Sequence, residues 1–311
     1  MININPLVSI MIATYNQPDY IVLAVESCLA QDYENIEVVV GDDSTNDDVY
    51  NALFPFFENK KVKYFRNTKN LGRTNNYKKL LFDYAVGDWA IMLDGDDYYI
   101  NKSFVSKSMK YIIADPSIVL VAAGHLTIDE NENKNTEVPL VTNDIVFDGK
   151  EVFYKQLRHG QHSANIYNRK LSIELDFYRL DSMAADAEGL FRIFLHGNIV
   201  YLKDIVVIWR LHSNNNTFKA EDALKQMGEM VFIDNIYKYS LDFIDRKTAK
   251  RWRKSFYKSM SYHIIHMAKK SNSFFYVIRV SIWASQFWGL YDTFRFLKTY
   301  TYRALLKQTK K

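Results

Sequence analysis

Residues 94–97, Asp-Gly-Asp-Asp, set three carboxylates within four positions at the end of the apolar run Trp89-Ala-Ile-Met-Leu93. Like charges crowded at the edge of a core repel one another and lose hydration, which costs stability unless a cation binds there. Hard oxygen donors at this spacing suit Mg2+ or Mn2+, held partly by the protein and partly by a diphosphate. The alternative is a solvated acidic turn, because Asp and Gly both form turns readily.

The elements that must position this cluster follow from hydrophobic patterning. Val8-Ser-Ile-Met-Ile-Ala reads as a buried strand running into the polar turn Thr14-Tyr-Asn-Gln-Pro-Asp19. Helical spacing over 20–31 (Ile21, Val25, Leu29) leads to a second strand, Ile36-Glu-Val-Val-Val40, and then to Gly41-Asp-Asp-Ser-Thr45. A third strand, Val62-Lys-Tyr-Phe65, ends in Asn67-Thr-Lys-Asn-Leu-Gly72, and a helix is expected over about 73–86. Strands alternating with helices predict an α/β fold with a mainly parallel, Rossmann-like sheet flanked by helices. Ligands of such sheets bind at the carboxyl ends of the strands, where these polar clusters sit. Asp129-Glu-Asn-Glu-Asn-Lys-Asn135 reads as a solvated hairpin tip, and the chain is expected to be helical from about 221 onward.

Charge is distributed unevenly. Residues 246–311 hold 16 Lys/Arg against one acid, Asp292, whereas the remainder holds 24 bases against 35 acids. Such polarity suggests a tail that faces an anionic surface or polymer. Within it Tyr276, Val280, Trp283, Phe287, Leu290, Phe294 and Leu297 form a 4-3-4-3 apolar stripe flanked by Lys and Arg. Trp252, Trp283 and Trp288 add interfacial residues. This predicts a helix lying on an anionic membrane; a helix packed on its own domain or on a second subunit is the alternative. Arg279 and Gln286 interrupt the longest apolar run, which argues against a spanning helix. No recognised RNA or DNA module accompanies the basic charge, so nucleic acid is not an expected partner. The lone Cys28 excludes an intramolecular disulfide and a cysteine-rich zinc site. The N-terminus has no basic region or cleavable apolar stretch, and a cytoplasmic location is expected.

Taken in order, Val8-Ser-Ile-Met-Ile-Ala-Thr-Tyr-Asn16, Ile36-Glu-Val-Val-Val-Gly-Asp-Asp-Ser-Thr45, Asn70-Leu-Gly-Arg73 and Gly87-Asp-Trp-Ala-Ile-Met-Leu-Asp-Gly-Asp-Asp97 resemble the nucleotide-binding half of family 2 glycosyltransferases with a GT-A fold. The resemblance covers roughly residues 7–217. It implies that Thr14, Tyr15 and Asn16 line a nucleotide pocket and that Asp42 meets the nucleobase. The usual V-D-D-G-S-T stands here as V-G-D-D-S-T, so Asp43 is an alternative to Asp42. Arg73 would approach the diphosphate or the sugar. Asp94 and Asp96, spaced by Gly95, would form the D-x-D pair that contacts ribose and metal, with Asp97 beside them.

The resemblance extends to Asp181-Ser-Met-Ala-Ala-Asp-Ala-Glu-Gly-Leu-Phe-Arg192 and Trp209-Arg-Leu-His-Ser-Asn-Asn-Asn-Thr217. In the family a carboxylate at a helix start acts as general base. The usual Glu-Asp is here Ala185-Asp186, which makes Asp186 the candidate and Glu188 its alternative. A helix N-cap is the bland reading of Asp186. His212 matches the place where relatives complete a metal shell, and a hydrogen-bonded loop histidine is equally expected there. His159 and His162, with Glu188, could line an acceptor pocket.

Together these imply a GT-A catalytic domain over 1–220 and a basic, aromatic helical region over 221–311. The implied reaction is inverting transfer of a sugar from a nucleoside diphosphate donor, UDP- or dTDP-linked. Its acceptor would be a hydroxyl of a glycan or lipid-linked glycan in polysaccharide biosynthesis, with Mn2+ or Mg2+ as cofactor. The enzyme would lie peripherally on the inner face of the cell membrane, with a homodimer as the other use of the tail. A sugar-phosphate nucleotidylyltransferase would need a Gly-rich basic loop after the first strand, where Thr14-Tyr-Asn-Gln-Pro stands instead. A non-catalytic scaffold would be expected to have lost the D-x-D pair or the base.

Overall fold

The structure is a computed structural model that describes residues 5–129, 133–157, 159–212, 230–270 and 274–288. The chain divides into two compact units, Met1–Ser213 and Asn214–Lys311.

The first unit is built on one ten-stranded sheet. Its strands are β1 (Val8–Thr14), β2 (Ile36–Asp42), β3 (Val62–Arg66), β4 (Trp89–Asp94), β5 (Tyr98–Tyr99), β6 (Ile118–Ile128), β7 (Lys134–Val138), β8 (Ile145–Asp148), β9 (Asn165–Asn168) and β10 (Asn198–Arg210). Helices α1 (Pro18–Leu29), α2 (Asp48–Leu53), α3 (Arg73–Lys79), α4 (Phe104–Ala114), α5 (Gly149–Lys155), α6 (Arg169–Glu174) and α7 (Ala185–Ile193) intervene. The strand order is β3-β2-β1-β4-β9-β6-β10-β5, with β7 added on β6 and β8 on β10.

β1 and β2 are buried almost throughout, as β-branched runs without alternation require of central parallel strands. α1 starts on Pro18, whose missing N–H costs nothing at a helix start, and turns Ile21, Val25 and Cys28 inward. The helix expected over 73–86 is α3 followed by a π-helical turn, Leu80–Tyr84. β6 and β7, on either side of the expected tip, pair antiparallel, and residues 130–132 lie outside the described residues.

β1 to β4 are parallel, as expected, but beyond β4 the sheet is mixed. β9 runs antiparallel to both β4 and β6, while β10 is parallel to β6 and antiparallel to β5 and β8. Register decides what meets at the carboxyl edge. Thr14 is level with Asp42 and Ala13 with Asp94, so three polar clusters distant in sequence share one rim.

The second unit contains helices Val231–Ser240, Arg246–Lys270 and Phe274–Trp288, the middle one contacting both others. Trp252 is buried, its ring 5.1 Å from that of Phe256, so it serves internal packing and not an interface. Val280 of the apolar stripe is also buried. Leu290, Phe294, Leu297 and Asp292 lie outside the described residues, as do residues 213–229. Among the described residues no helix is long and apolar enough to cross a membrane.

Candidate active site

The rim of β1 and β2 is tied by short polar contacts. Asn16 adopts a left-handed backbone (φ 51°), and its N–H donates to Ser44 Oγ at 2.9 Å. Its side-chain oxygen accepts from Thr45 N–H at 3.1 Å. Tyr15 is exposed, whereas Thr14 is buried, with no hydrogen-bond partner for its hydroxyl among the described residues. Gly95 lies against Thr14, where a Cβ would come within 2.9 Å of the threonine Cβ.

Asp42 and Asp43 are both buried and serve different neighbours. Asp42 accepts from Ser44 N–H at 2.8 Å and from the Tyr64 hydroxyl at 2.6 Å. Asp43 accepts from Asn67 Nδ2 at 2.7 Å and from Leu71 N–H at 3.1 Å, which fixes the loop before α3. Arg73, the first residue of α3, is exposed and reaches the carbonyls of Ser182 and Met183, each at 3.4 Å.

The three carboxylates after β4 diverge. Asp94 accepts a hydrogen bond from the Tyr77 hydroxyl. Burial and the neighbouring Asp96 push its pKa up to about 6, against the opposing pull of Tyr77 and Arg73. Asp97 turns inward, accepting from Arg210 N–H at 3.1 Å and from the Ser163 hydroxyl at 3.2 Å. Burial and its two acidic neighbours raise its pKa well above the carboxylate range. Asp96 instead meets His212, Oδ2 to Nε2, at 2.7 Å. The His212 ring stacks on Tyr20, and the Arg210 guanidinium lies 4.8 Å from the same ring.

Carboxylate oxygens and a neutral imidazole are apt donors for Mn2+ or Mg2+. Two ligands at about 2.1 Å from an octahedral ion sit about 3.0 Å apart, close to the spacing Asp96 and His212 already have. Among the described residues no three His, Cys, Asp or Glu side chains close into a metal cage. A cation here would therefore draw its remaining ligands from diphosphate and water, the usual manner of Mg2+. The donor set fits the ion on those terms.

On the far side Asp186 lies in the first turn of α7, half-buried, while Ala184 occupies the N-cap position. Capping is thus not its role. Burial would raise its pKa, but the fields of His162, His159 and Arg73 and the Ala187 N–H hold it below the ordinary value. Glu188 is fully buried between Arg179 and Arg192, with Nε distances of 2.9 and 3.0 Å. Both its oxygens are engaged by guanidinium groups. His162 is buried against Tyr77 and Tyr178, and burial depresses its pKa to about 4. His159 sits edge-on to Phe191, its pKa also lowered by burial.

Tyr64, Tyr77, Ser163 and Tyr178 join the site without any sequence signal. Three of the four are tyrosine in a chain with 22 tyrosines, so residue type alone does not single them out.

Comparison with known proteins shows the family and the fold. The family model described as "Glycosyl transferase family 2" matches residues 9–176. The Escherichia coli enzyme UDP-Glc:alpha-D-GlcNAc-diphosphoundecaprenol beta-1,3-glucosyltransferase WfaP is 37% identical over 101 residues. That stretch is 30% of this chain and 37% of the enzyme, so the match spans little more than a third of that relative. Among solved structures, S. aureus TarS 1–349 in complex with UDP-GlcNAc superposes with a TM-score of 0.63 at 19% identity, covering 80% of this chain and 71% of TarS. The mannosyltransferase PcManGT from Pyrobaculum calidifontis, in complex with GDP-Man and Mn2+, gives 0.57 at 16% identity, covering 97% and 87%. Likeness at such identity shows a shared fold.

Proposed function

Because the chain belongs to glycosyl transferase family 2, we propose that it moves a sugar from a UDP- or dTDP-linked donor to a hydroxyl of a glycan or lipid-linked glycan, with inversion, in polysaccharide assembly. The observation that carries this reading is that α3 touches both the D-x-D pair and the segment leading into α7. The Tyr77 hydroxyl of α3 donates to Asp94 while its ring lies 5.4 Å from that of Tyr178, and Arg73 of the same helix reaches the carbonyls of Ser182 and Met183, just before the α7 turn that carries Asp186. Base and D-x-D pair, far apart in sequence, therefore address one space.

In this mechanism the acceptor hydroxyl gives its proton to Asp186 as its oxygen attacks the anomeric carbon, and the bond to the diphosphate breaks. Keeping Asp186 below the usual carboxylate pKa ensures that it is an acceptor at neutral pH. Asp96 and His212 would hold the divalent cation, with Asp94 nearby, and the cation would neutralise charge on the departing diphosphate. Arg73 offers a positive group at the mouth of the same space. Asp42 or Asp43 would read the nucleobase beside Thr14, Tyr15 and Asn16.

Lys247, Lys250, Arg251 and Lys254 are exposed on helix Arg246–Lys270, which contains no acid. This supports attachment to an anionic membrane surface and a lipid-linked acceptor.

A donor-hydrolysis screen tests the reading. UDP-, GDP- and dTDP-sugars would be incubated with protein and Mn2+, Mg2+ or EDTA, alongside Asp96→Ala and Asp186→Ala. Metal-dependent release of one nucleoside diphosphate, lost in both variants, is expected. Failure of UDP, GDP and dTDP all to bind with metal present would overturn the proposal.

A further inference from the structure

Beside Asp94 stands a group of rings outside the motifs. Tyr77, His162, Tyr178 and Tyr167 are each at least nine-tenths buried. Tyr77 donates to Asp94, and its ring lies 5.5 Å from His162 and 5.4 Å from Tyr178. The Tyr178 hydroxyl lies 2.7 Å from His162 Nε2 and 3.3 Å from the Tyr167 hydroxyl. Tyr178 is held with φ at 64°, a left-handed backbone that a bulky residue seldom adopts. Phe177, stacked on Tyr167, presses against Gly189 of α7, where a Cβ would come within 2.5 Å of its ring. The hydroxyl chain is thus built into the packing against α7, the helix that carries Asp186.

Proton bookkeeping gives that chain a direction. If His162 Nε2 carried the hydrogen, Tyr178 would accept it and donate onward to Tyr167. The Tyr167 hydrogen would then be buried with no acceptor among the described residues, a situation folded proteins avoid. The reverse direction uses every hydrogen: Tyr167 donates to Tyr178, and Tyr178 donates to Nε2. His162 is then the Nδ1–H tautomer, since the bond at one ring nitrogen sets the state of the other. Nδ1 has no hydrogen-bond partner among the described residues and is not sealed from solvent. The ring stays neutral at physiological pH, because burial holds its pKa at about 4.

We propose that His162 is a positioning residue for the nucleophile: its Nδ1–H, fixed by Tyr167 and Tyr178, donates to the oxygen of the hydroxyl whose proton Asp186 takes. The inference rests on the proposed role of Asp186. One lone pair of that oxygen accepts from His162 while the other attacks the anomeric carbon. The O–H bond breaks toward Asp186, and the electrons of the breaking C–O bond leave with the diphosphate. His162 neither gains nor loses a proton. Water can stand in for the acceptor hydroxyl, which makes donor hydrolysis a valid readout.

Nitrogen NMR on protein carrying isotope-labelled histidine tests the tautomer directly, with the His162 signals assigned from their loss in His162→Gln. A neutral Nδ1–H ring at neutral pH is expected, shifting toward Nε2–H in Tyr178→Phe. An Nε2–H or imidazolium ring in the wild type would overturn the proposal. Hydrolysis of the nucleotide sugar found by the screen, with water as acceptor, tests the role. His162→Gln should lose roughly tenfold in kcat with unchanged KM, as expected for one hydrogen bond. His162→Asn, whose amide N–H falls at the Nδ1 position, should recover most of it. Wild-type rates in His162→Gln would overturn the role. A wild type that neither hydrolyses a nucleotide sugar nor binds UDP would count against the transferase reading itself, and the NMR result would still judge the tautomer.

Discussion

Asp96 and His212, 116 residues apart in sequence, meet side chain to side chain at 2.7 Å beside the end of β4. The contact exists because β10 runs back along the sheet to Arg210, whose backbone N–H is bound by Asp97. It joins the last described residue of the first unit to the carboxylate pair that would carry a cation.

The Asp96–His212 pair predicts how metal dependence fails. EDTA should abolish turnover, and Mn2+ should restore it. In His212→Ala the Mn2+ concentration for half-maximal activity should rise by roughly 10–100-fold, the scale on which lost coordination support is felt. Metal titration of activity measures this, and an unchanged midpoint would remove His212 from the shell.

Asp186→Asn should lower kcat by about 10²–10⁴, the range for loss of a general base, with nucleotide-sugar affinity little changed. Because Asp186 is held below the ordinary carboxylate value, the wild-type rate should show no acid limb from this group above about pH 4. A limb near neutrality that vanished in Asp186→Asn would contradict the assignment.

Glu188 tests stability, not chemistry. Replacing it with Ala strands Arg192, which is almost fully buried, and also releases Arg179. Breaking one side of such a buried network costs about 3–5 kcal/mol, so the urea midpoint should fall sharply.

His162 predicts a pH effect on folding with a definite sign. Its folded pKa of about 4 lies below its unfolded value near 6.5. Between these pH values the unfolded chain binds a proton that the folded chain refuses, so stability falls as pH falls through the window. The limit is about 3 kcal/mol, fully present above pH 6.5 and lost by about pH 4. Urea unfolding at several pH values should show a shallower slope across this window in His162→Gln.

The basic helix predicts lipid dependence. The protein should sediment with vesicles rich in anionic lipid, release with salt, and ignore zwitterionic vesicles. Reversing Lys247, Lys250, Arg251 and Lys254 to Glu should abolish binding without loss of nucleotide affinity.

Much of the nucleotide half was legible in the sequence. Apolar β-branched runs can only be buried strands, and the polar clusters that end them must lie on one rim once the strands are parallel. Thus Thr14, Asp42 and Asp94 were placed by local pattern, and the ordered motifs carried the family. Only tertiary structure sets Asp186 and Glu188, two residues apart on one helix, in different surroundings. The difference lies in Arg179 and Arg192, which neutralise Glu188 from both sides. Tertiary structure likewise turned Asp97 away from its neighbours and drew Tyr64, Tyr77, Tyr178 and Ser163 to the site. Such contacts depend on strand order and on one antiparallel insertion, β9, which no local periodicity encodes. Hydrophobic spacing specifies which face of an element is buried; which distant polar atom it then meets is decided by the packed chain as a whole.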